Sequence, residues 1–175
     1  MRKEYFEMFL DVIKTADDPT KQLIHVDGNT IDATDSKRAL RVLFENNPCE
    51  PGDYKIAKIG KDYRVMSADN PGRFPDITRV MDYGSRPTTV TIELSGYDPQ
   101  HVPANFLTIY GHLQRDRDPG ALSWINYTFL SKILVMMAKL GDKLTVEYRS
   151  PTHPVYITTM AGVDKIEYLI MPIGM

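Results

Sequence analysis

The sequence predicts an α+β protein in which two amphipathic helices pack on one face of antiparallel sheet. Residues 4–16 and 123–140 each place apolar side chains at helical spacing along one broad stripe. Most of the remaining chain consists of short β-prone runs separated by turns rich in Gly, Pro, Asn and Asp. A helix with one apolar face needs a second layer to bury it, and the short strands supply that layer as a sheet.

The elements of the first half follow directly from their turn residues. Asp17-Asp18-Pro19 ends the first helix. Two hairpins are predicted, one around Asp27-Gly28-Asn29 and one around Gly60-Lys61-Asp62, with a strand at 39–44 between them. Residues 69–87 are rich in Pro, Gly and Asp, and we expect them to form an ordered connector.

The second half roughly repeats this order of elements. A strand at 88–94 precedes the second helix, for which Gly141 is the predicted C-cap. The pattern at 106–113 fits a strand or a helical turn equally. Three closing strands are predicted, at 144–149, 155–160 and 168–172. We therefore expect one domain, 1–175, with two pseudo-repeated halves, 1–68 and 88–175.

Length and composition limit the function classes. A chain of 175 residues can bury a core without a disulfide or a metal. Its formal charge of −2 excludes a globally basic coat but allows a local basic surface. Cys49 is the single cysteine, which fits a reducing, cytoplasmic location. No apolar run approaches the ~20 residues that span a membrane, and Glu4, Glu7 and Asp11 interrupt the stretch where a signal peptide would lie.

No motif in the sequence assembles the groups that an enzyme needs. The sequence has no phosphate-binding glycine loop and no nucleophile elbow. Asp32 and Asp35 flank a turn, where a carboxylate usually bonds its own backbone rather than a metal. None of the histidines has metal-ligand spacing: His25, His101, His112 and His153. We therefore expect a non-enzymatic protein with no cofactor and no metal.

Four segments, in chain order, carry a family resemblance. Residues 32–40 (DATDSKRAL) resemble the ATDGHRLA-type strand-turn-strand of bacterial DNA sliding clamps, the β subunit of the replicative polymerase. Residues 74–80 (FPDITRV) are similar to the FPDYRRV segment that links clamp domains, and 125–134 look like the FNVSYVLDVL helix of the last clamp domain. Residues 155–157 (VYI) and 168–173 (YLIMPI) resemble the clamp ending.

The resemblance implies a ring whose helices line a central hole and contact duplex DNA through its backbone, without reading sequence. About six domain units close such a ring, so a one-domain chain must self-associate into a closed homo-oligomer. The chain departs from the clamp pattern in length, since clamps have three domains. Residues 41–73 fill the place of a whole half-domain, and residues 95–121 match no clamp segment.

The candidate DNA-contacting residues are Lys132 and Lys139, with Lys37 and Arg38 in the ATD turn. The two helix lysines are seven residues apart and share a face, with no acid between 124 and 140. Residues 36–64 hold seven bases and four acids, or +3, whereas residues 1–18 hold three bases and five acids, or −2. The competing interpretation of the helix lysines is an ordinary solvated face.

The candidate partner pocket is formed by Met171, Pro172 and Ile173, which match clamp residues that receive a peptide of a polymerase or clamp loader. The competing interpretation places them in the core of the last strand. An alternative function is a monomeric clamp-like adaptor or decoy that binds replication or transcription proteins without encircling DNA. The acidic first helix favours this alternative, and the basic second helix disfavours it.

Overall fold

The computed structural model describes residues 1–46, 49–69, 72–81, 88–94, 98–106, 108, 125–148 and 153–173. The chain divides into two compact units. The first unit comprises residues 1–83 with 163–165, and the second comprises 84–162 with 166–175. The boundary at 83/84 lies inside the predicted connector.

The first unit is an antiparallel sheet with one long helix. Its strand order is β5-β4-β1-β2-β3, and every described pairing is antiparallel. Its elements are α1 (Lys3–Ile13), β1 (Ile24–Asp27), β2 (Thr30–Thr34), β3 (Arg38–Leu43), β4 (Gly52–Ile59), β5 (Asp62–Ser67) and the short α2 (Thr78–Met81). The predicted helix and both predicted hairpins are confirmed. α2 was not predicted.

The apolar stripe of α1 forms the core of the first unit. Its buried apolar residues lie at helical spacing, so they project to one side and pack on β2 and β3. Alternate side chains of β2 and β3 pack against them, and all four are fully buried: Ile31, Ala33, Leu40 and Val42. The helix stops at Ile13, three residues before the predicted end.

Two glycines allow the tight hairpin turns. Gly28 has φ 53° and Gly60 has φ 64°, values that favour glycine. Each turn contains two residues, 28–29 and 60–61, between paired strands. Two-residue turns of this kind match the twist of the strands they join, which explains why the DGN and GKD signals predicted these hairpins correctly.

The second unit is built in the same way. Its strand order is β9-β8-β7-β6. Its strands are β6 (Thr88–Glu93), β7 (Lys143–Tyr148), β8 (Val155–Ala161) and β9 (Asp164–Ile170). Residues 102–106 are helical and form the described part of α3, and α4 spans Tyr127–Leu140. The helix α4 packs on β7 and β8. Five of its residues are buried: Leu130, Ile133, Leu134, Met136 and Met137.

Both ends of α4 are determined by local chemistry. The Asn126 side chain accepts hydrogen bonds from the N–H groups of Thr128 and Phe129, at 3.0 and 3.3 Å. Gly141 is the C-cap, as predicted, but its backbone is extended, with φ −129° and ψ 161°. Glycine is required there for space, because a Cβ would contact the Thr159 hydroxyl and lie 2.5 Å from a backbone carbonyl oxygen.

Two sequence expectations change in the second unit. Phe106 is helical, which favours the helical alternative for its segment, while residues 109–113 lie outside the described residues. The last strand begins at Asp164 and ends at Ile170, so residues 171 and 172 follow β9 rather than belonging to it. No helix in the described ranges is long and apolar enough to cross a membrane.

Candidate functional site

The exposed face of α4 carries positive charge and no acid. Lys132 and Lys139 are both exposed, whereas the opposite face of the helix is buried in the second unit. Seven residues of helix separate them by about 10 Å along the axis. Thr128 lies on the same side of the helix, and its side chain is also exposed. On this exposed face α4 carries Lys132 and Lys139, and the helix itself contains no carboxylate.

The charge of α1 differs from the −2 counted over residues 1–18. Asp11 is 5% exposed and contacts the Arg38 guanidinium at 2.8 Å and Lys14 at 2.7 Å. With Asp35 beside Arg38, these four groups sum to zero. Asp17 and Asp18 follow the end of the helix. The remaining charges of α1 are Lys3 against Glu4 and Glu7, or −1, with Arg2 at the N-cap.

The ATD turn is held by the carboxylate of Asp35. Its Oδ1 accepts hydrogen bonds from the backbone N–H groups of Lys37 and Arg38, both at 3.0 Å. Its Oδ2 accepts from the Thr15 hydroxyl at 2.6 Å and from Nε of Arg38 at 3.0 Å. Ser36 adopts φ 73° inside this turn. The expectation that an aspartate here bonds its own backbone holds for Asp35, and the turn is thereby tied to the end of α1.

Arg38 and Lys37, predicted together as DNA contacts, have opposite environments. Lys37 is exposed. Arg38 is 1% exposed, and its guanidinium donates to the Asp11 carboxylate, to the Asp11 carbonyl at 2.5 Å and to the Thr15 hydroxyl at 3.0 Å. A guanidinium buried and bonded in this way cannot reach a phosphate, so its position argues against the predicted DNA contact. Arg38 instead joins α1 to the β2–β3 turn.

Further exposed cations lie on the β4–β5 hairpin of the first unit. The basic residues there are all exposed: Lys55, Lys58, Lys61 and Arg64. Lys58 lies over the Tyr63 ring, with Nζ 5.9 Å from its centroid. Tyr63 in turn stacks on Phe6 of α1 at 5.1 Å. The positive count over 36–64 therefore corresponds to exposed side chains, apart from the buried Arg38 and from Arg41, which is paired with Asp32.

The three predicted pocket residues lie at the end of the described chain. Met171 is 38% exposed and Ile173 is 53% exposed, with Pro172 half-buried between them. The competing interpretation, that they are core residues of the last strand, does not fit this exposure. By contrast, the preceding residues Leu169 and Ile170 are 2% and 1% exposed.

The strand register reveals a polar row that the sequence did not indicate. His25 pairs with Asp32 and with Asp53, and Asp32 pairs with Arg41, so the four side chains lie in one row on the sheet face opposite α1. His25 Nδ1 is 2.7 Å from Asp53. Arg41 contacts Asp32 through two bonds of 2.8 Å. These partners are up to 28 residues apart, and only the register brings them together.

The connector covers part of this row. The Phe74 ring stacks on His25, with centroids 5.0 Å apart and planes 10° from parallel. Arg41 donates to the Thr78 hydroxyl at 3.2 Å, and Asp76 accepts from the Thr78 N–H at 3.0 Å. An open cleft of about 750 Å³ remains between these connector residues and the sheet. The FPD segment thus packs on the sheet of the first unit through the ring of Phe74.

Two groups have shifted pKa values. Burial of the Tyr5 hydroxyl, together with its 2.8 Å hydrogen bond to Asp164, raises the pKa of Tyr5 well above its usual range. Hydrogen bonds from the N–H and hydroxyl of Thr20 lower the pKa of Asp18. Neither group lies on the predicted DNA or partner surfaces. In the described residues, no group of three or more His, Cys, Asp or Glu side chains could hold a metal.

Comparisons with known proteins identify the fold. No family model matches the sequence, and no curated protein matches it. Solved bacterial clamps match the structure over nearly the whole chain. The DNA polymerase III beta chain of Streptococcus pneumoniae matches with a TM-score of 0.57 at 13% identity, over 100% of this chain and 64% of its own.

Two further structures agree with this match. The Helicobacter pylori beta clamp bound to DNA ligase peptide has a TM-score of 0.58 at 13% identity, covering 98% of this chain and 63% of its own. The beta subunit from Thermotoga maritima has 0.51 at 16%, with coverage of 98% and 63%. The chain spans just under two thirds of the length of these proteins. The predicted resemblance is confirmed at the level of fold: the chain is an α+β protein with the fold of the bacterial DNA polymerase III beta subunit, in a shorter form.

Proposed function

We propose that this chain self-assembles in the cytoplasm into a closed ring that holds duplex DNA and serves as a processivity factor or docking platform without enzymatic activity. The observation that carries the proposal is the acid-free, lysine-bearing face of α4 within a clamp fold. A clamp must attract phosphates without fixing them, and two exposed ammonium groups on a rigid helix meet that requirement.

The pairing of Asp11 removes part of the argument against this function. The acidic count over residues 1–18 was the main argument for a monomeric adaptor or decoy. Asp11 is neutralised by Arg38 and Lys14, so α1 does not repel DNA as that count implied. Lys37 remains a proposed DNA contact because it is exposed at the tip of a turn held by Asp35.

Two strand edges support self-association. Among the described residues, β5 and β6 each have a strand partner on one side only. The edge strand β5 carries Asp62 and Arg64, and β6 carries Glu93 as its single charge. An unpaired edge is a template for another strand, which favours pairing of β5 with β6 between copies.

The docking role rests on Met171, Pro172 and Ile173. Exposed apolar residues in a short segment suit a small hot-spot contact, and methionine adapts to the shape of its partner. The Helicobacter pylori clamp of the same fold was solved with a DNA ligase peptide. We propose that a peptide of a polymerase or clamp loader binds here. Met171→Asp should abolish binding of such a peptide, and an unchanged titration would place the pocket elsewhere.

The mass in solution tests the assembly. Light scattering after size exclusion, over a wide concentration range, should give a stable closed oligomer. A ring of this kind should stay on circular DNA and slide off linear DNA of the same sequence. A monomer at every concentration would contradict encirclement by this chain alone and would favour the adaptor.

Charge reversal tests the helix surface. The double variant Lys132→Glu with Lys139→Glu should weaken duplex binding. The logarithm of the binding constant should also fall less steeply with log salt, by about 1.8, or 0.9 for each lost phosphate contact. The matched single variants are Lys139→Gln and Lys143→Gln; Lys143 is an exposed lysine at the start of β7, and glutamine does not place a second acid opposite Glu93. If Lys139→Gln and Lys143→Gln bind DNA equally, α4 does not face DNA.

A further inference from the structure

The cleft between the connector and the first sheet is separate from the proposed DNA and docking residues. It measures about 750 Å³ and is lined by one side of β1–β4 and by connector residues 72–78. That volume lies in the range of ligand-binding sites. Neither Lys37 nor the α4 lysines line it, and neither do the residues of the proposed partner pocket.

The floor of the cleft presents a fixed imidazole. An ionised carboxylate accepts hydrogen bonds only, so the 2.7 Å contact with Asp53 makes Nδ1 of His25 the donor. In the neutral ring Nε2 is then the acceptor. The Phe74 ring lies parallel to the imidazole and adds an aromatic surface to the same wall. A planar donor group can therefore find both an acceptor and a flat surface here.

The charge of the cleft selects the sign of its occupant. Its lining includes two arginines, Arg41 and Arg73, and four aspartates: Asp27, Asp32, Asp53 and Asp76. These six side chains sum to −2. Asp32 and Asp53 are already paired, and Asp76 lies 3.8 Å from the exposed Arg79. Among the described residues, the exposed carboxylate of Asp27 has no side-chain partner. A negative lining disfavours the DNA backbone and attracts a cation.

We propose that this cleft is a second docking site, which binds an arginine side chain in a peptide segment of a partner protein. A guanidinium matches a carboxylate with two parallel hydrogen bonds and stacks on aromatic rings, and a lysine ammonium does neither. Asp27 and Asp76 at the rim supply the carboxylates. Phe74 supplies the ring, and the connector is thereby the element that the partner contacts.

The probe is the blocked tripeptide acetyl-Gly-Arg-Gly-amide, titrated into the whole protein and followed by amide NMR shifts. We expect saturable shifts at residues 25–28 and 72–78, with a Kd in the millimolar range for so small a ligand. The citrulline peptide has the same shape without charge and should not bind. Shifts from the citrulline peptide of equal size, or no saturable shift from the arginine peptide, would overturn the proposal.

Matched variants locate the contact. Asp27→Asn with Asp76→Asn should raise the Kd about threefold to tenfold, and asparagine preserves the capping bond to Thr78. Asp17→Asn with Asp69→Asn makes the same charge change at exposed sites outside the cleft and should leave the Kd unchanged. Equal effects of the two pairs would show general electrostatic attraction and refute a site in the cleft. Phe74→Leu should also weaken binding.

This site is independent of the DNA-holding function. The cleft variants should keep the DNA affinity and the oligomeric mass of the parent protein. Arginine-peptide binding that survives in a protein with no DNA affinity would support the cleft while contradicting the ring. DNA affinity without peptide binding would contradict the cleft site and leave the ring proposal standing.

Discussion

Replacing Arg38 by methionine removes the buried guanidinium that joins α1 to the β2–β3 turn. The change deletes bonds to the Asp11 and Asp35 carboxylates, whose side chains are 5% and 0% exposed in the native protein. Breaking a buried ion pair from one side typically costs about 3–5 kcal/mol. Asp11 keeps Lys14 and Asp35 keeps two backbone N–H groups, so we expect the lower end, about 3 kcal/mol.

The loss is measurable by urea unfolding followed by circular dichroism, or as a fall in Tm of about 6–12 °C for a chain of this size. Lys37→Met is the control, because it removes an exposed cation one residue away and should cost less than about 0.5 kcal/mol. Equal stabilities for the two variants would refute the structural role of Arg38. A stable Arg38→Met protein with weakened DNA binding would restore the DNA contact predicted from the sequence.

Three further predictions concern other parts of the fold. Gly141→Ala should destabilise the protein by about 3 kcal/mol in urea unfolding, because the added Cβ overlaps Thr159 and a fixed backbone carbonyl. Tyr5→Phe should cost about 1 kcal/mol at neutral pH by losing its bond to Asp164. Because folding raises the pKa of Tyr5, this contribution is complete below the unfolded value of about 10 and is lost as pH rises above it. Asn126→Ala should cost about 1 kcal/mol through loss of the α4 cap, read as a lower Tm.

Each of these has a matched comparison. Gly60→Ala meets no atom within 4 Å, so it should cost only about 1 kcal/mol for its positive φ, less than Gly141→Ala. Tyr54→Phe loses an exposed bond to the Glu50 carbonyl and should cost less at neutral pH than Tyr5→Phe. Thr128→Ala changes an exposed position of α4 beside the cap and should be nearly neutral. The reverse order in any pair would contradict the corresponding assignment.

The two long helices, the hairpins and most strands could be predicted because their signals are local. The apolar stripe of α1 and the two-residue glycine turns depend on neighbours within a few residues. The different burial of Lys37 and Arg38 depends on contacts with residues distant in sequence, so it could not be predicted in the same way. One available signal was strand alternation, since Arg38, Leu40 and Val42 share a face and the latter two are apolar. An arginine in that series points toward the core.

The candidate surfaces divide in the same way. The acid-free face of α4 could be predicted, because helical spacing alone places Lys132 beside Lys139. The polar row and its cleft could not, since His25, Asp53 and Arg41 become neighbours only through pairing of strands distant in sequence. The pairing of the acids of α1 could not be predicted for a related reason. The sequence shows Asp11 as an acid of the helix but does not show the arginine that neutralises it from another strand.

The triad of Asp11, Asp35 and Arg38 also constrains how this chain can change during evolution. Replacing a buried ionic cluster entirely with apolar residues of similar volume is often neutral or stabilising, whereas removing one member leaves an uncompensated charge. Each single substitution therefore gives a less stable protein, whereas the triple substitution need not be less stable than the parent. A chain that has the triad can lose it one residue at a time only through less stable variants. What opposes its loss is therefore the cost of removing one member, not the stability that the whole triad adds.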